Sequence, residues 1–252
     1  DVTAPSFRFD IAIEADVIEE IGRVYGYENI PDQHTSGRLA MIKLPETRQT
    51  RFDIYRQMAA RGYQEVVSYA FVDEAWERDF AANSQPIRLQ NPIASHMSVM
   101  RSTLFGGLVE VLQNNLNRKQ NRVRVFEVAR VFHKNNDAGF SQTEKIGGLA
   151  YGLALPEQWG ESSRQIDFYD VIADIEALLG RQAVRFPAAS HPALHPGRTA
   201  AIMLGDEAIG IIGELHPKWL QQYDLPQAPL LFEVNFDTVL QRDKVRYQPQ
   251  SK

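Results

Sequence analysis

The sequence contains no cysteine, which excludes disulfides and every site built on a thiolate, catalytic or metal-binding. That absence fits a reducing cytoplasm. No run of about 18 apolar residues is present, the length a helix needs to span a bilayer, and no signal peptide is visible. No membrane partner is expected. Positive charge is not in excess either. The 27 Lys and Arg face 32 Asp and Glu, a net charge of −5, which argues against a uniformly basic nucleic-acid module and leaves room only for a local basic patch. Glycine loops that cradle phosphates are missing, as is any Ser-His-Asp grouping, so those enzyme classes have no support. Internal repeats and low-complexity tracts are missing too.

What is there is ordinary for a globular protein. The 252 residues are 44% hydrophobic and 23% charged, enough to bury a sizeable core in one large or two domains. The chain begins at Asp1 without an initiator Met and ends on the polar run Tyr247–Lys252. This reads as a piece of a longer polypeptide, with the frayed ends of a mature chain as the alternative. Residues 1–31 form one unit. A helix is predicted over Asp16–Tyr25, with its apolar stripe at Val17, Ile18, Ile21 and Val24. Asp16 is the expected N-cap, Glu19 the partner in a capping box, Gly26 the left-handed stop and Pro31 the terminator. Residues 32–46, with Gly37 and Pro45, read as a linker.

From 47 to 252 the pattern is mixed. Helices are expected over 48–61, from about 103, and over 167–179. Strands are expected over 66–71, 87–89, from about 123, 146–155 and 231–234. Gly205-Asp206 between two apolar runs predicts a hairpin. Regular crossovers of a parallel α/β fold are lacking. The expected class is α+β, a mainly antiparallel sheet flanked by helices.

The most informative stretch is 91–132, NPIASHMSVMRSTLFGGLVEVLQNNLNRKQNRVRVFEVARVF. Met97–Met100 lead into Arg101. Ser102 and Thr103 are candidate N-caps for a helix striped by Leu104, Leu108, Val111, Leu112 and Leu116. After a basic break, Val123, Val125 and Glu127–Val128 resume at strand spacing. This order resembles the core of class II aminoacyl-tRNA synthetases, and its wording resembles the β-subunit family of bacterial phenylalanyl-tRNA synthetases. Arg61–Tyr69 is similar to the helix-to-strand joint of the class II dimerisation motif, without its closing proline. The resemblance covers nearly the whole chain. Residues 1–31 resemble the C-terminal part of the family's small metal-contacting domain, and 47–252 a class II synthetase-like core.

The resemblance also marks what is missing. In class II enzymes a strand like Phe126–Phe132 is followed by an Arg and, two residues on, a Glu. That Arg grips ATP phosphate, a task suited to a planar bidentate cation. Here His133, Lys134 and Asn135 follow. A late Gly-rich helix with a second Arg is replaced by Phe236-Asp237-Thr238. The implied core is catalytically degenerate, and no catalytic residue is assigned.

Asp16, Glu19 and Glu20 lie at i, i+3 and i+4 and share a helix face, where like charges repel. With Asp10 they are the best metal candidates, because oxygen ligands suit a hard cation such as Mg2+. Carboxylates in a first helical turn are equally favoured by the helix dipole alone. In the resembled family a similar segment supplies Mg2+ ligands at the contact with the α subunit. The resemblance thus implies Asp10, Asp16, Glu19 and Glu20 as ligands to a metal shared with α.

His191, His195 and His216 invite a zinc reading. Pro192, Pro196 and Pro217 follow them directly and forbid the helix that an i, i+4 ligand pair needs. They read as turns lining a vestigial cleft. Arg118, Lys119, Arg122 and Arg124 form the densest basic cluster, open to tRNA phosphates or to solvation at a helix end. Phe105 and Val109 make the helix after 103 apolar on more than one side, so it is buried by its own domain or by a partner.

The resemblance implies a working protein that attaches phenylalanine to tRNA(Phe) with ATP, as an α2β2 assembly. Adenylation and transfer fall to α, and ATP is used by the complex rather than by this chain. This chain is then the non-catalytic core that binds and orients α. An apolar surface for α is expected around Gly62–Tyr63 and the 104–116 helix, with weak self-association when the chain is alone. Two other classes stay open. One is a metal-dependent hydrolase built on the four carboxylates, and the other a stand-alone synthetase-like regulatory binding module.

Overall fold

In the strand runs VRVFEV and LLFEVN, successive side chains point to opposite faces, and apolar residues occupy both sets. A sheet built from such strands must be covered on both sides. The computed structural model describes residues 2–33, 37, 41, 49–135, 139–180 and 184–241 and contains that sheet. The chain divides into two units, Asp1–Leu44 and Pro45–Lys252. Most of the 32–46 linker expected from sequence lies outside the described residues.

The first unit is built on α1 (Glu14–Tyr25). The helix begins before Asp16, not at it. Asp16 sits in the first turn and reaches back, its Oδ2 accepting from the N–H groups of Ala12 at 2.8 Å and Ile13 at 2.9 Å. It therefore satisfies orphan donors from inside the helix, where an N-cap would do so from outside. Gly26, at φ +92, closes the helix. Ile18, Ile21 and Val24 are exposed.

The second unit holds strands β1 (Gln64–Glu65), β2 (Phe71–Val72), β3 (Val99–Met100), β4 (Val123–Lys134), β5 (Phe140–Tyr151), β6 (Val184–Arg185), β7 (Leu194–Leu204), β8 (Glu207–Leu215) and β9 (Leu230–Asn235). Its helices are α2 (Arg51–Ala60), α3 (Glu74–Ala81), α4 (Phe105–Asn117), α5 (Phe168–Leu179), α6 (Pro217–Gln222) and α7 (Phe236–Leu240). Seven strands form one sheet in the order β1-β4-β5-β9-β8-β7-β6, while β2 and β3 pair separately. Only β1 runs parallel to its neighbour. The α+β class expected from sequence is the one observed.

Register decides what covers each face. Phe126, Gly148, Phe232 and Ile212 form one cross-strand row. It lies against Ile54 and Met58 of α2, Val171 and Ile175 of α5, and Phe236 and Val239 of α7. The adjacent row, Val125, Leu149 and Leu231, faces the other way. It lies under Leu104, Phe105, Leu108 and Leu112, with Phe80 of α3 and Trp219 of α6 beside them. Leu104, which abuts α4, and the other three are fully buried, and each such side chain contributes roughly 1.5–3 kcal/mol. That outweighs the ~1 kcal/mol each that Gly106 and Gly107 cost in a helix interior.

Elements with local signals formed where expected. Asp167 caps α5, its Oδ1 accepting from Tyr169 and Asp170 N–H at 2.9 and 3.0 Å. The turn at Gly205-Asp206 joins β7 to β8. Other expectations needed correction. The strand expected over 66–71 does not form: residues 66–70 are irregular between β1 and β2, and there the Ser68 N–H donates to Glu127 at 3.2 Å. β5 starts earlier and stops earlier than 146–155, at a positive-φ Gly152. α3, α6, α7 and β6 were not anticipated.

Candidate functional site

The segment Arg101–Leu104, singled out in the sequence, is gripped by three carboxylates from three separate elements. Glu127 of β4 accepts from the Arg101 guanidinium at 3.0 Å. Glu77 of α3 accepts from the Ser102 N–H at 2.8 Å and its hydroxyl at 2.6 Å. Glu233 of β9 accepts from the Thr103 hydroxyl at 3.0 Å and the Leu104 N–H at 2.7 Å. Lys145 of β5 pairs with the other oxygen of Glu233. Of the two cap candidates before α4, Thr103 does reach the helix, its Oγ1 accepting from the Phe105 N–H at 3.3 Å, whereas Ser102 is bonded to Glu77 instead. The start of the helix is held mainly by a carboxylate 129 residues away in sequence.

Burial sets the energetics. The Arg101 and Glu127 side chains are 5% and 3% exposed. Ions so far from water persist only when paired and hydrogen-bonded. Arg101 meets that condition, since it also donates to Ser68 Oγ at 2.8 Å and to the Arg130 carbonyl at 3.1 Å. A side chain that grips a substrate must present unsatisfied donors or acceptors to it. The charged floor of this sheet face instead directs its hydrogen bonds into the protein. Sequence reading passed over Glu127 and Glu233. Their signal was present, since an acidic residue inside a run such as VFEVA or LLFEV needs a partner when the strand is buried.

The ends of β4 and β9 hold the positions at which class II enzymes carry their signature residues. His133 and Lys134 end β4. Burial, with Lys145 nearby, lowers the pKa of the His133 imidazole. After β9, Asn235 Oδ1 accepts from the Asp237 N–H at 3.0 Å and so caps α7. The three histidines of the zinc reading each cap local backbone. Nδ1 of His191, His195 and His216 accepts from the N–H of Ala193, Gly197 and Lys218 at 3.2, 3.0 and 3.0 Å.

The basic cluster separates into two parts. Arg122 donates to the Leu153 carbonyl at 3.2 Å and Arg124 to that of Ala154 at 3.1 Å. Arg124 also bonds Asp174 at 3.3 Å, and Asp174 accepts from the Tyr63 hydroxyl at 3.0 Å. Arg124 thus ties β4 to α5, and Arg122 holds the loop that follows β5. Arg118 and Lys119 remain exposed at the end of α4.

The apolar surface expected at Gly62–Tyr63 and on the 104–116 helix is not presented. Tyr63 is 3% exposed and Val109 1% exposed, because α4 is buried by its own sheet and by α3. The exposed apolar side chains that follow that joint in sequence are Val67 and Tyr69.

The four acidic candidates share one neighbourhood but not one ligand shell. Arg8 Nη2 lies 2.7 Å from both Asp10 Oδ2 and Glu20 Oε1. Arg23 takes the second Glu20 oxygen at 2.6 Å. Hydrogen bonds from these two arginines pull the Glu20 carboxyl down to about 2. The Asp10 carboxyl is lowered by Arg8 in the same way, and that of Asp16 by the backbone of Ile13 and Ala12. Glu19 makes no hydrogen bond or ion pair among the described residues. Among those residues no group of three or more His, Asp or Glu is arranged to hold a metal ion. In the chain alone the Arg8 guanidinium engages two of the four, Asp10 and Glu20.

No helix among the described residues is long and apolar enough to cross a membrane. Two family models match the chain. The phenylalanyl tRNA synthetase beta chain CLM domain covers residues 30–236, and the tRNA synthetase B5 domain covers 1–27. The chain is 68% identical over 251 residues to the phenylalanine–tRNA ligase beta subunit of Neisseria gonorrhoeae. It is 56% identical over 251 residues to that of Chromobacterium violaceum. In both cases all of this chain aligns but only 32% of the relative, so the chain spans about a third of their length. Among solved structures it is similar to PylSc, a pyrrolysyl tRNA synthetase of Desulfitobacterium hafniense. The TM-score is 0.54 at 12% identity, covering 77% of this chain and 66% of that one. At that identity the likeness concerns the fold alone.

Proposed function

The chain belongs to the phenylalanyl-tRNA synthetase β-chain family, and on that footing we propose that it supports, without performing, the ATP-dependent charging of tRNA(Phe). In this reading adenylation and transfer take place on an α subunit. This core binds and orients α within an α2β2 assembly in the cytoplasm.

The observation that carries the reading is the carboxylate grip on residues 101–104. A phosphate-binding arginine must offer its fork to the ligand, whereas Arg101 is turned inward to Glu127. Neither His133, Lys134 nor Asn135 supplies the Arg-x-Glu pair that follows this strand in class II enzymes. Mg2+ is shared with α and held only in the complex, since Arg8 engages Asp10 and Glu20 in the chain alone. Arg118 and Lys119 are the residues of the basic cluster left for tRNA phosphates. A hydrolase using the four carboxylates would need an open coordination position, which the Arg8 arrangement does not support.

Co-expression with an α subunit from a close relative, followed by size exclusion, tests the role. Co-elution of the two chains is expected. Separate elution at micromolar concentration would contradict it.

A further inference from the structure

A cavity of about 170 Å3 opens beside α4, lined on one part by Ser68, Gly107 and Glu110. The rings of Tyr69, Phe71 and Trp76 line it, together with the Met97 thioether and the His96 imidazole. Asp73 and Glu110 add two carboxylates, and no Lys or Arg lines it. The rings are held in place. Tyr69 and Phe71 stack with centroids 5.5 Å apart, and a Cβ at Gly106 would lie 2.5 Å from the Trp76 ring, so helix and indole are in close contact. Asp73 Oδ1 caps α3 by accepting from the Ala75 N–H at 2.8 Å, while its Oδ2 has no such bond. Glu110 is exposed and makes no hydrogen bond or ion pair among the described residues.

Aromatic faces carry partial negative charge and attract a cation within about 6 Å of the ring centroid. Two carboxylates with no counter-ion reinforce the same preference. The volume narrows the occupant. Sites for whole small molecules are usually about 300–1,000 Å3, so this cavity suits the head of one side chain. Of the two cationic side chains, guanidinium both stacks on rings and pairs with carboxylates through its fork. We propose that this cavity is a docking pocket for an arginine side chain presented by a partner protein. Tyr69 and Glu110 form the rim, and Trp76 and Phe71 the aromatic wall.

The chain has three tryptophans, so its indole N–H resonances give a direct readout, with Trp159 and Trp219 as internal controls. The 252-residue chain is titrated with the capped peptide Gly-Arg-Gly and with its citrulline counterpart, which keeps the shape and loses the charge. The arginine peptide is expected to shift the Trp76 resonance saturably, and the citrulline peptide to leave it in place. Glu110→Gln removes an exposed charge and should weaken binding about two- to fivefold, the range of an exposed ion pair. The parent indole pattern should survive in that variant. The proposal is overturned by an unmoved Trp76 resonance at about 10 mM arginine peptide, by an equal shift with citrulline, or by an unchanged affinity in Glu110→Gln. Tighter binding of free arginine than of the peptide would overturn the partner assignment in favour of a metabolite.

Discussion

Glu127 and Glu233 flank Gly147 in a single cross-strand row, and both reach up to the segment 101–104 that leads into α4. Gly147 is the residue between them for a steric reason, since a Cβ there would lie 3.0 Å from a Leu104 methyl. The row therefore places two acidic groups and one gap directly under the turn they hold. The segment that leads into α4 is held by an internal brace.

If the brace is structural, removing one charge should cost more than removing the pair. Arg101→Met leaves Glu127 buried without its ion-pair partner, and breaking such a pair typically costs about 3–5 kcal/mol. The double variant Arg101→Met/Glu127→Leu leaves no uncompensated charge and should be the more stable of the two. Urea unfolding of both variants checks the order. A neutral Arg101→Met would show that the pair holds nothing.

Val109 is 1% exposed and packs in the chain's own core. Val109→Glu should therefore destabilise the fold by about 3 kcal/mol or more, because a carboxylate would be buried without a partner. A thermal melt by circular dichroism reads the loss. A variant that melts like the parent would place Val109 on an outer surface.

Arg8 bridges Asp10 and Glu20 in the first unit. The chain alone should give no saturable Mg2+ binding by titration calorimetry at millimolar concentration. Arg8→Gln removes the competing guanidinium and should bind Mg2+ at least a few-fold more tightly. Tight binding by the parent chain would mean a self-sufficient site and would restore the hydrolase reading.

Asp170 of α5 has its carboxyl held below its ordinary 3.8, chiefly by the Arg164 guanidinium, whose two nitrogens lie 2.6 Å away. Its folded value is below its unfolded value, so its contribution is present above about pH 4 and is lost as pH falls through the folded value. Arg164 is 56% exposed, so solvent screening limits the effect to about 0.5–1 kcal/mol. Asp170→Asn should be less stable than the parent at pH 6, and the two should converge towards pH 2. Urea midpoints across that range test it, and a gap independent of pH would contradict it.

Elements whose signals are local were legible in the sequence. The Asp167 cap, the Gly205-Asp206 hairpin and the apolar stripe of α4 all rest on neighbours within a few residues. Features decided by distant partners were not. The apolar run 66–71 stays irregular, with Ser68 bonded to Glu127, a partner 59 residues away. α3 hides in EAWERDFA because its buried acids, Glu77 and Asp79, read as surface until their partners Ser102 and Gln222 come into place. The acidic quartet of the first unit was legible as a cluster. The role of Arg8 was not, because spacing along a helix marks which carboxylates share a face but not which cation reaches them from outside the helix.

Phenylalanine-dependent ATP–pyrophosphate exchange by the purified chain tests the central claim most directly, because adenylation is the one step a class II core performs by itself. With Arg101 turned inward to Glu127 and the Arg-x-Glu pair replaced at His133–Asn135, exchange should not exceed that of a heat-inactivated control. Adding an α subunit should bring it above that level. Exchange by the chain alone, abolished by Arg101→Met at a temperature where that variant is still folded, would contradict the account and make this sheet face an active site.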